Sequence, residues 1–321
     1  MIANSGEYRK KNGQRGCVMM NNFIFENKTK VYFGKGGVKE YLGGLLANFG
    51  ETVMLAYGGS IKRNGVYDEI MGILNAAGKR IVEFSGIMSN PTYAKVQEGA
   101  KLARENHVDL ILAVGGGSVS DCCKVISGAF DTLSHAMETY FGKPDENNLS
   151  DDINEAVMRS VIRNIRILLT DPENYDARSE LAQASAMAEN GMLKIGKVTD
   201  FQTHQIEHQL GVYTNCNHGA GLAVIHPVLY RHIYKSGAAR FARFAQNVWG
   251  IAPKGSDGET AAGIDALAAF IKEIGLPTSF AELGIPADTD FRAVADSTNI
   301  TAGCCKKLTH DEIYEILQEC L

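Results

Sequence analysis

Two pairs of residues that bind metals well stand at helical spacing in this chain. Asp131 and His135 are four apart in GAFDTLSHAMETYF, and His204 and His208 are four apart in TDFQTHQIEHQLG. Residues at i and i+4 share one helix face, so each pair aims two donor side chains in the same direction. His218 follows ten residues after His208, in NCNHGAG. Three imidazole nitrogens and one carboxylate make a competent set for Zn²⁺ or Fe²⁺, with a position left for a substrate oxygen. A single histidine on an amphipathic helix is ordinarily a satisfied polar residue; here the argument rests on the clustering. Spacing leaves open whether His208 or His218 completes the set, and which metal is held.

The elements that must carry these donors read as helices. Beyond Gly128 strand signals stop, and helical periodicity covers 129–141, 150–169, 177–192, 200–210, 222–232, 240–249, 260–274 and 310–320. Pro144, Pro172, Gly211, Pro253, Pro277 and Pro286 punctuate them. Before Gly128 the pattern is different. Apolar runs at 52–56, 80–84 and 108–114 alternate with helical stripes at 66–77 and 93–105, which predicts a parallel sheet. NFIFE and KVYFG, joined around Asn27-Lys28, predict a β-hairpin. The expected organisation is therefore an α/β nucleotide-binding domain at 20–127 with a Rossmann-like parallel sheet, then an all-helical metal-binding domain at 128–321. Residues 1–19 show no periodicity and read as a disordered extension.

Glycine loops supply the second chemical signal. Tyr57-Gly58-Gly59-Ser60 and Gly115-Gly116-Gly117-Ser118 each follow a predicted strand. Glycine lets the backbone approach a phosphate, and the next helix offers free N–H groups at its start. In an open parallel sheet both loops lie at the strand ends where nucleotides bind. Each loop taken singly is also explained as a tight turn. No acidic residue closes the first loop; Ser60, followed by Lys62 and Arg63, suits a 2′-phosphate, which favours NADP(H) over NAD(H).

Composition narrows the classes. With 45% hydrophobic and 21% charged residues among 321, the chain reads as an ordinary globular protein. A net charge of -5 argues against a nucleic-acid partner held through phosphates. Seven cysteines, including the adjacent pairs Cys122-Cys123 and Cys304-Cys305, do not form a disulfide framework. No apolar run reaches the length of a membrane span, so the cytoplasm is the expected compartment.

The stretches KVYFGKG, YGGSIKRNG, LAVGGGSVSD, GAFDTLSHAMETYFGKP, GKVTDFQTHQIEHQLG and CNHGAGLAVIHP together resemble the iron-containing (group III) alcohol dehydrogenases, most closely the NADPH-dependent butanol dehydrogenase branch. The resemblance implies metal ligands at Asp131, His135, His204 and His218, and makes His208 a non-ligand that relays a proton. It implies a pyrophosphate loop at Gly115 to Ser118, with Asp121 near the nicotinamide end, and 2′-phosphate contacts at Gly58 to Ser60. The implied reaction is hydride transfer between NADPH and the carbon of an alcohol or aldehyde whose oxygen is held by the metal. It also implies a homodimer paired through the hairpin at 22–34.

The chain departs from that family in one place. Only nine residues separate Asp121 from Asp131, where the family carries roughly eighty more, including further sheet strands and part of the nicotinamide pocket. Metal binding is therefore expected to be better preserved than hydride transfer, and a metal-binding remnant without turnover is the alternative function. A polyol dehydrogenase resembling glycerol dehydrogenase is a further alternative, against which the Asp131-x3-His135 motif speaks. His107 and His310 read as surface residues or caps, His226 and His232 as structural, and Trp249 as core.

Overall fold

The computed structural model describes residues 30, 32, 34–58, 61–63, 65–87, 93–114, 122–143, 148–252, 257–301 and 305–321. The predicted hairpin at 22–34 lies mostly outside them. Two compact units divide the chain, with a boundary after Ala129; Leu168–Pro172 groups with the first.

The first unit alternates helix and strand: α1 (Gly37–Leu46), β1 (Thr52–Tyr57), α2 (Val66–Ala76), β2 (Arg80–Phe84), α3 (Tyr93–Glu105) and β3 (Leu110–Val114). The sheet is parallel with order β2-β1-β3, Val53 lying opposite both Ile81 and Leu110. Central β1 is buried along its whole length, and all of its residues but Thr52 belong to the apolar core. Val53, Leu55 and Tyr57 pack with Leu46, Ile70 and Leu74 on one side, and Met54 and Ala56 pack with Val82 and Phe84 on the other. Gly99 of α3 must be glycine, since a Cβ there would lie 2.8 Å from the Phe84 ring. Helix α1 escapes a periodicity reading because Gly43 and Gly44 interrupt it; burial of Leu46 against the sheet helices overrides that local weakness. β2 and β3 are the edge strands among the described residues, and the burial of β3 alternates, with Ile111 57% exposed. A parallel strand is ordinarily covered on both faces.

The second unit is helical: α4 (Cys122–Tyr140, from Phe130 onward), α5 (Leu149–Thr170), α6 (Tyr175–Glu189), α7 (Gln202–Thr214), α8 (His218–Ile233), α9 (Ala238–Asn247), α10 (Asp257–Glu273), α11 (Phe280–Leu283), α12 (Phe291–Ser297) and α13 (His310–Glu319). Helix α4 begins seven residues earlier than the apolar periodicity suggests. Helix α8 is buried on every side from Gly219 to His226, which marks it as the central helix of the unit. Around it Phe141 stacks on Phe241 at 4.2 Å and meets Tyr230 and Phe244.

Charges are buried in this unit too. Asp151 receives Lys197 Nζ at 2.5 Å and Arg240 at 2.6 Å, and the side chains of Asp151 and Lys197 are fully buried. Lys197 also donates to the carbonyl of Tyr140 at 3.1 Å, tying the segment before α7 to the end of α4. No helix among the described residues is long and apolar enough to cross a membrane.

Candidate metal centre

Helix α4 presents Asp131, His135 and Glu138 along one face, because i, i+4 and i+7 fall within a narrow arc. Helix α7 supplies His204 from its first turn. Its N-cap, Phe201, has a left-handed backbone at φ 56, a conformation that costs a non-glycine residue about 1–2 kcal/mol. The Phe201 ring offsets that strain through contacts with His135 at 5.3 Å and His204 at 5.1 Å, with Lys194 Nζ over its face at 4.6 Å. Helix α8 opens on His218, with Asn217 as its cap accepting from the N–H of Ala220.

These elements bring three imidazoles around one oxygen. Asp131 Oδ1 lies 3.3 Å from His204 Nε2, 3.5 Å from His218 Nε2 and 3.6 Å from His135 Nε2. Ligands about 2.0–2.2 Å from a tetrahedral ion stand about 3.3–3.6 Å apart, the range of the three distances from Asp131 Oδ1, and ligand atoms of Asp131, His135 and His204 lie within 4.8 Å of one another. The residues present therefore suit the group that their chemistry implies.

Buried carboxylates aim two of the rings. His204 Nδ1 hydrogen-bonds Glu138 Oε2, and His218 Nδ1 hydrogen-bonds Glu207 Oε2. Glu138 also accepts from the N–H of Thr203 at 2.6 Å. Such bonds fix the tautomer that leaves Nε2 free for a metal. The third ring differs: His135 Nδ1 is buried without a hydrogen-bond partner, and its Nε2 also meets Glu189 Oε1 at 2.9 Å.

The electrostatics follow from this packing. Burial opposes ionisation of Asp131, but hydrogen bonds from His204 and His218 outweigh it and hold its carboxyl well below the ordinary range. Burial disfavours a charged His204, yet Glu138 and Asp131 raise it to about 9; His218 is likewise raised to about 10 by Asp131 and Glu207 against its own desolvation. Glu138 is fully buried, which opposes its charge, but the adjacent His204 keeps its pKa lowered.

His208 is exposed and stacks on His218 at 5.3 Å. Its pKa is lowered, by desolvation first and then by His218 and His204. Ligand atoms of Glu207, His208 and His218 also lie within 4.8 Å of one another. Because Glu207 occupies Nδ1 of His218, the nitrogen left to a metal is the one facing Asp131. His226 is fully buried, with Nε2 2.6 Å from Ser134 Oγ and Nδ1 3.3 Å from Thr203 Oγ1, and burial lowers it to about 4. His232 meets Glu319 at 3.1 Å, and His310 donates to the carbonyl of Thr298. His107 turns the chain between α3 and β3 at φ 50, and Trp249 packs on Phe244 and Phe270.

Of the expected cofactor residues, Gly58 ends the β1 segment, where a Cβ would stand 3.1 Å from the carbonyl of Ile87. Gly59, Ser60, Gly115, Gly116, Gly117, Ser118 and Asp121 lie outside the described residues. Lys62 Nζ sits over the rings of Tyr67 at 4.6 Å and Tyr57 at 5.3 Å.

Comparison with known proteins bears on this arrangement. The model of the Fe-containing alcohol dehydrogenase family, C-terminal part, matches residues 125–321, and that of iron-containing alcohol dehydrogenase matches 28–156. The chain belongs to the iron-containing alcohol dehydrogenase family. It is thereby a metal-containing alcohol dehydrogenase by class. It is 30% identical to the probable NADH-dependent butanol dehydrogenase 1 of Bacillus subtilis, across 94% of this chain and 100% of that one. It is 26% identical to the NADPH-dependent aldehyde reductase YqhD of Escherichia coli, over 83% of this chain and 90% of the relative. The crystal structure of NADH-dependent butanol dehydrogenase A from Thermotoga maritima superposes with a TM-score of 0.87 at 26% identity, covering 94% and 99% of the two chains. The Bacillus alignment runs over 389 positions, longer than the 321 residues of this family member, so the relative carries residues that this chain lacks.

Sequence reasoning did not find Glu138 or Glu207. A signal for the first was available: Glu138 continues the Asp131 and His135 face at i+7. Glu207 stands between His204 and His208 in the sequence, but its partner, His218, is on another helix.

Proposed function

We propose that this enzyme interconverts primary alcohols and aldehydes of the butanol and butanal kind, with Asp131, His135, His204 and His218 as metal ligands and NADP(H) preferred over NAD(H). The observation that carries the reading is that three histidine Nε2 atoms lie 3.3, 3.5 and 3.6 Å from Asp131 Oδ1. When bound, a divalent metal supplies Lewis acidity toward the alcohol or aldehyde oxygen, and a nicotinamide cofactor supplies or accepts the hydride.

The chain's own residues do the rest. Glu138 and Glu207 keep the Nδ1 protons of His204 and His218 in place, so both rings offer Nε2. His208, neutral near pH 7 because its pKa is lowered, is exposed and in contact with His218. Its imidazole takes up the alcohol proton in one direction and returns it in the other. The cofactor preference rests on Ser60 standing where an acidic residue would hold a ribose hydroxyl, with Lys62 and Arg63 close behind. Relatives carry both cofactors in their names, so this preference is a claim about the present chain alone. We propose the same pairing of two copies through 22–34 that the resemblance implies. Light scattering on protein starting after Gly34 tests it, and an unchanged dimer would refute it.

The decisive experiment is NADPH oxidation with butanal on protein reconstituted anaerobically with Fe²⁺ or Zn²⁺ and assayed for metal. Metal-dependent turnover is expected, together with loss of both metal and turnover in His204→Ala. A second reading is favoured by the alignment being longer than the chain: a metal-binding protein that no longer transfers hydride. One metal per chain with no turnover would establish that reading instead.

A further inference from the structure

His226 stands on α8, eight residues after His218, and is fully buried. Its ring reaches both of the other helices that carry metal donors. Nε2 lies 2.6 Å from Ser134 Oγ on α4, and Nδ1 lies 3.3 Å from Thr203 Oγ1 on α7. Each of these hydroxyls adjoins a donor: Ser134 sits between Asp131 and His135, and Thr203 immediately precedes His204. Thr203 also gives its N–H to Glu138, the carboxylate that meets His204 Nδ1. With Ser134 donating to His226 Nε2, its oxygen keeps lone pairs for His204 Nδ1, 3.5 Å away. Phe130 and Tyr230 flank the His226 ring at 6.2 Å and 5.0 Å, so an apolar side chain would serve for packing alone. What the imidazole adds is direction, since hydrogen bonds fix how neighbouring helices are set and apolar contacts do so far less.

We propose that His226 is a positioning residue for the metal centre: its two hydrogen bonds hold α4 and α7 in the setting that brings Asp131, His135 and His204 together. The inference rests on the metal-binding reading given above. His226 acts through Ser134 and Thr203 and is not itself a ligand, because both of its ring nitrogens are already engaged. α8 thus contributes twice, with His218 as a donor at its start and His226 as the bracket between the other two helices. Pro227, directly after His226, removes the N–H that would bond the carbonyl of Ala223, so α8 lacks a backbone hydrogen bond at the turn where these side-chain bonds anchor it.

The test uses full-length protein loaded with Co²⁺, whose visible absorption reports the geometry of its ligands independently of turnover. His226→Phe keeps a ring beside Phe130 and Tyr230 and removes both hydrogen bonds. It should bind Co²⁺ about tenfold less tightly and shift the absorption bands of the bound ion. Ser134→Ala combined with Thr203→Val breaks the same two bonds from the other side and leaves the Thr203 N–H for Glu138, so it should give a similar loss and a shifted spectrum. Adding His226→Phe to that pair should cost little more, because the bonds are already gone. A residue that only supports the fold would lower the thermal midpoint of the metal-free protein and leave the spectrum of the loaded protein unchanged. Two results would overturn the proposal: variants within about threefold of wild type in Co²⁺ affinity with an unchanged spectrum, or a triple variant in which the two losses multiply. Should His226→Phe not fold, the Ser134→Ala and Thr203→Val pair decides by affinity and spectrum. Failure of wild type to bind Co²⁺ would instead remove the metal centre itself.

Discussion

Replacing Glu138 by Gln changes one atom at a fully buried position and reverses what His204 can do. In the native arrangement Glu138 Oε1 accepts from the N–H of Thr203 at 2.6 Å, and Oε2 accepts from His204 Nδ1. Gln retains the first bond through its carbonyl oxygen, but then presents an NH₂ group to the ring. That group can only donate, so it favours the tautomer with the proton on Nε2, the nitrogen facing Asp131 at 3.3 Å. Metal binding must then break this bond or leave a donor unmet. A lost charge-assisted hydrogen bond is worth about 1.5–3 kcal/mol, which matches the ~10- to 100-fold losses typical when such supporting carboxylates are removed. The assay is competition for Zn²⁺ against a chelator at fixed pH, with an NMR titration of His204 in the metal-free protein. Affinity should fall in that range, and the His204 pKa should drop from about 9. A Zn²⁺ affinity within about threefold of wild type would refute the claim that Glu138 sets the tautomer.

Metal affinity should depend on pH over an unusual window. His204 and His218, raised to about 9 and 10, each lose a proton on binding, so affinity should climb up to ~100-fold per pH unit between pH 7 and 9. Calorimetry in buffers of different ionisation heat would count about two protons released, and a flat profile would contradict the raised values. The metal-free protein should show the opposite trend: ion pairs of these two histidines stabilise it fully below about pH 6.5, and that stability is lost as pH rises through 9 and 10. Gly221→Ala would set a Cβ 2.9 Å from Glu207, pushing it off His218. A stability loss of about 1–3 kcal/mol and ~10-fold weaker metal binding are expected, whereas Gly211→Ala, whose Cβ would meet Glu207 at an ordinary 3.7 Å, should leave affinity unchanged. Lys197→Met removes one partner of the buried Asp151 and should cost about 3–5 kcal/mol in denaturant unfolding; a loss below about 1 kcal/mol would mean that Arg240 alone neutralises Asp151.

Much of the plan is local, and local features are legible in a sequence. An apolar run such as TVMLAY, with glycine after it, has few alternatives to a buried strand, and β1 occupies that run. The four-residue spacing of Asp131 and His135 fixes their common face once α4 forms, whatever surrounds it. Helix limits were less legible. α1 forms despite Gly43 and Gly44 because Leu46 is buried against the sheet and its helix, and burial is not a local property; α4 starts at Cys122, ahead of its apolar periodicity.

The composition of the site is where sequence alone runs out. Local spacing pairs His204 with His208, yet the atom that comes to Asp131 is Nε2 of His218, while His208 stacks outside. Asp131 and His204 are 73 residues apart, and Glu138 and His204 are 66 apart. No periodicity relates such positions, since their distance is set by how α4, α7 and α8 pack. The same packing decides that Glu138 and Glu207 are buried against imidazole nitrogens rather than solvated. A carboxylate becomes a supporting ligand only when its neighbours exclude water, and those neighbours are brought in by the tertiary fold.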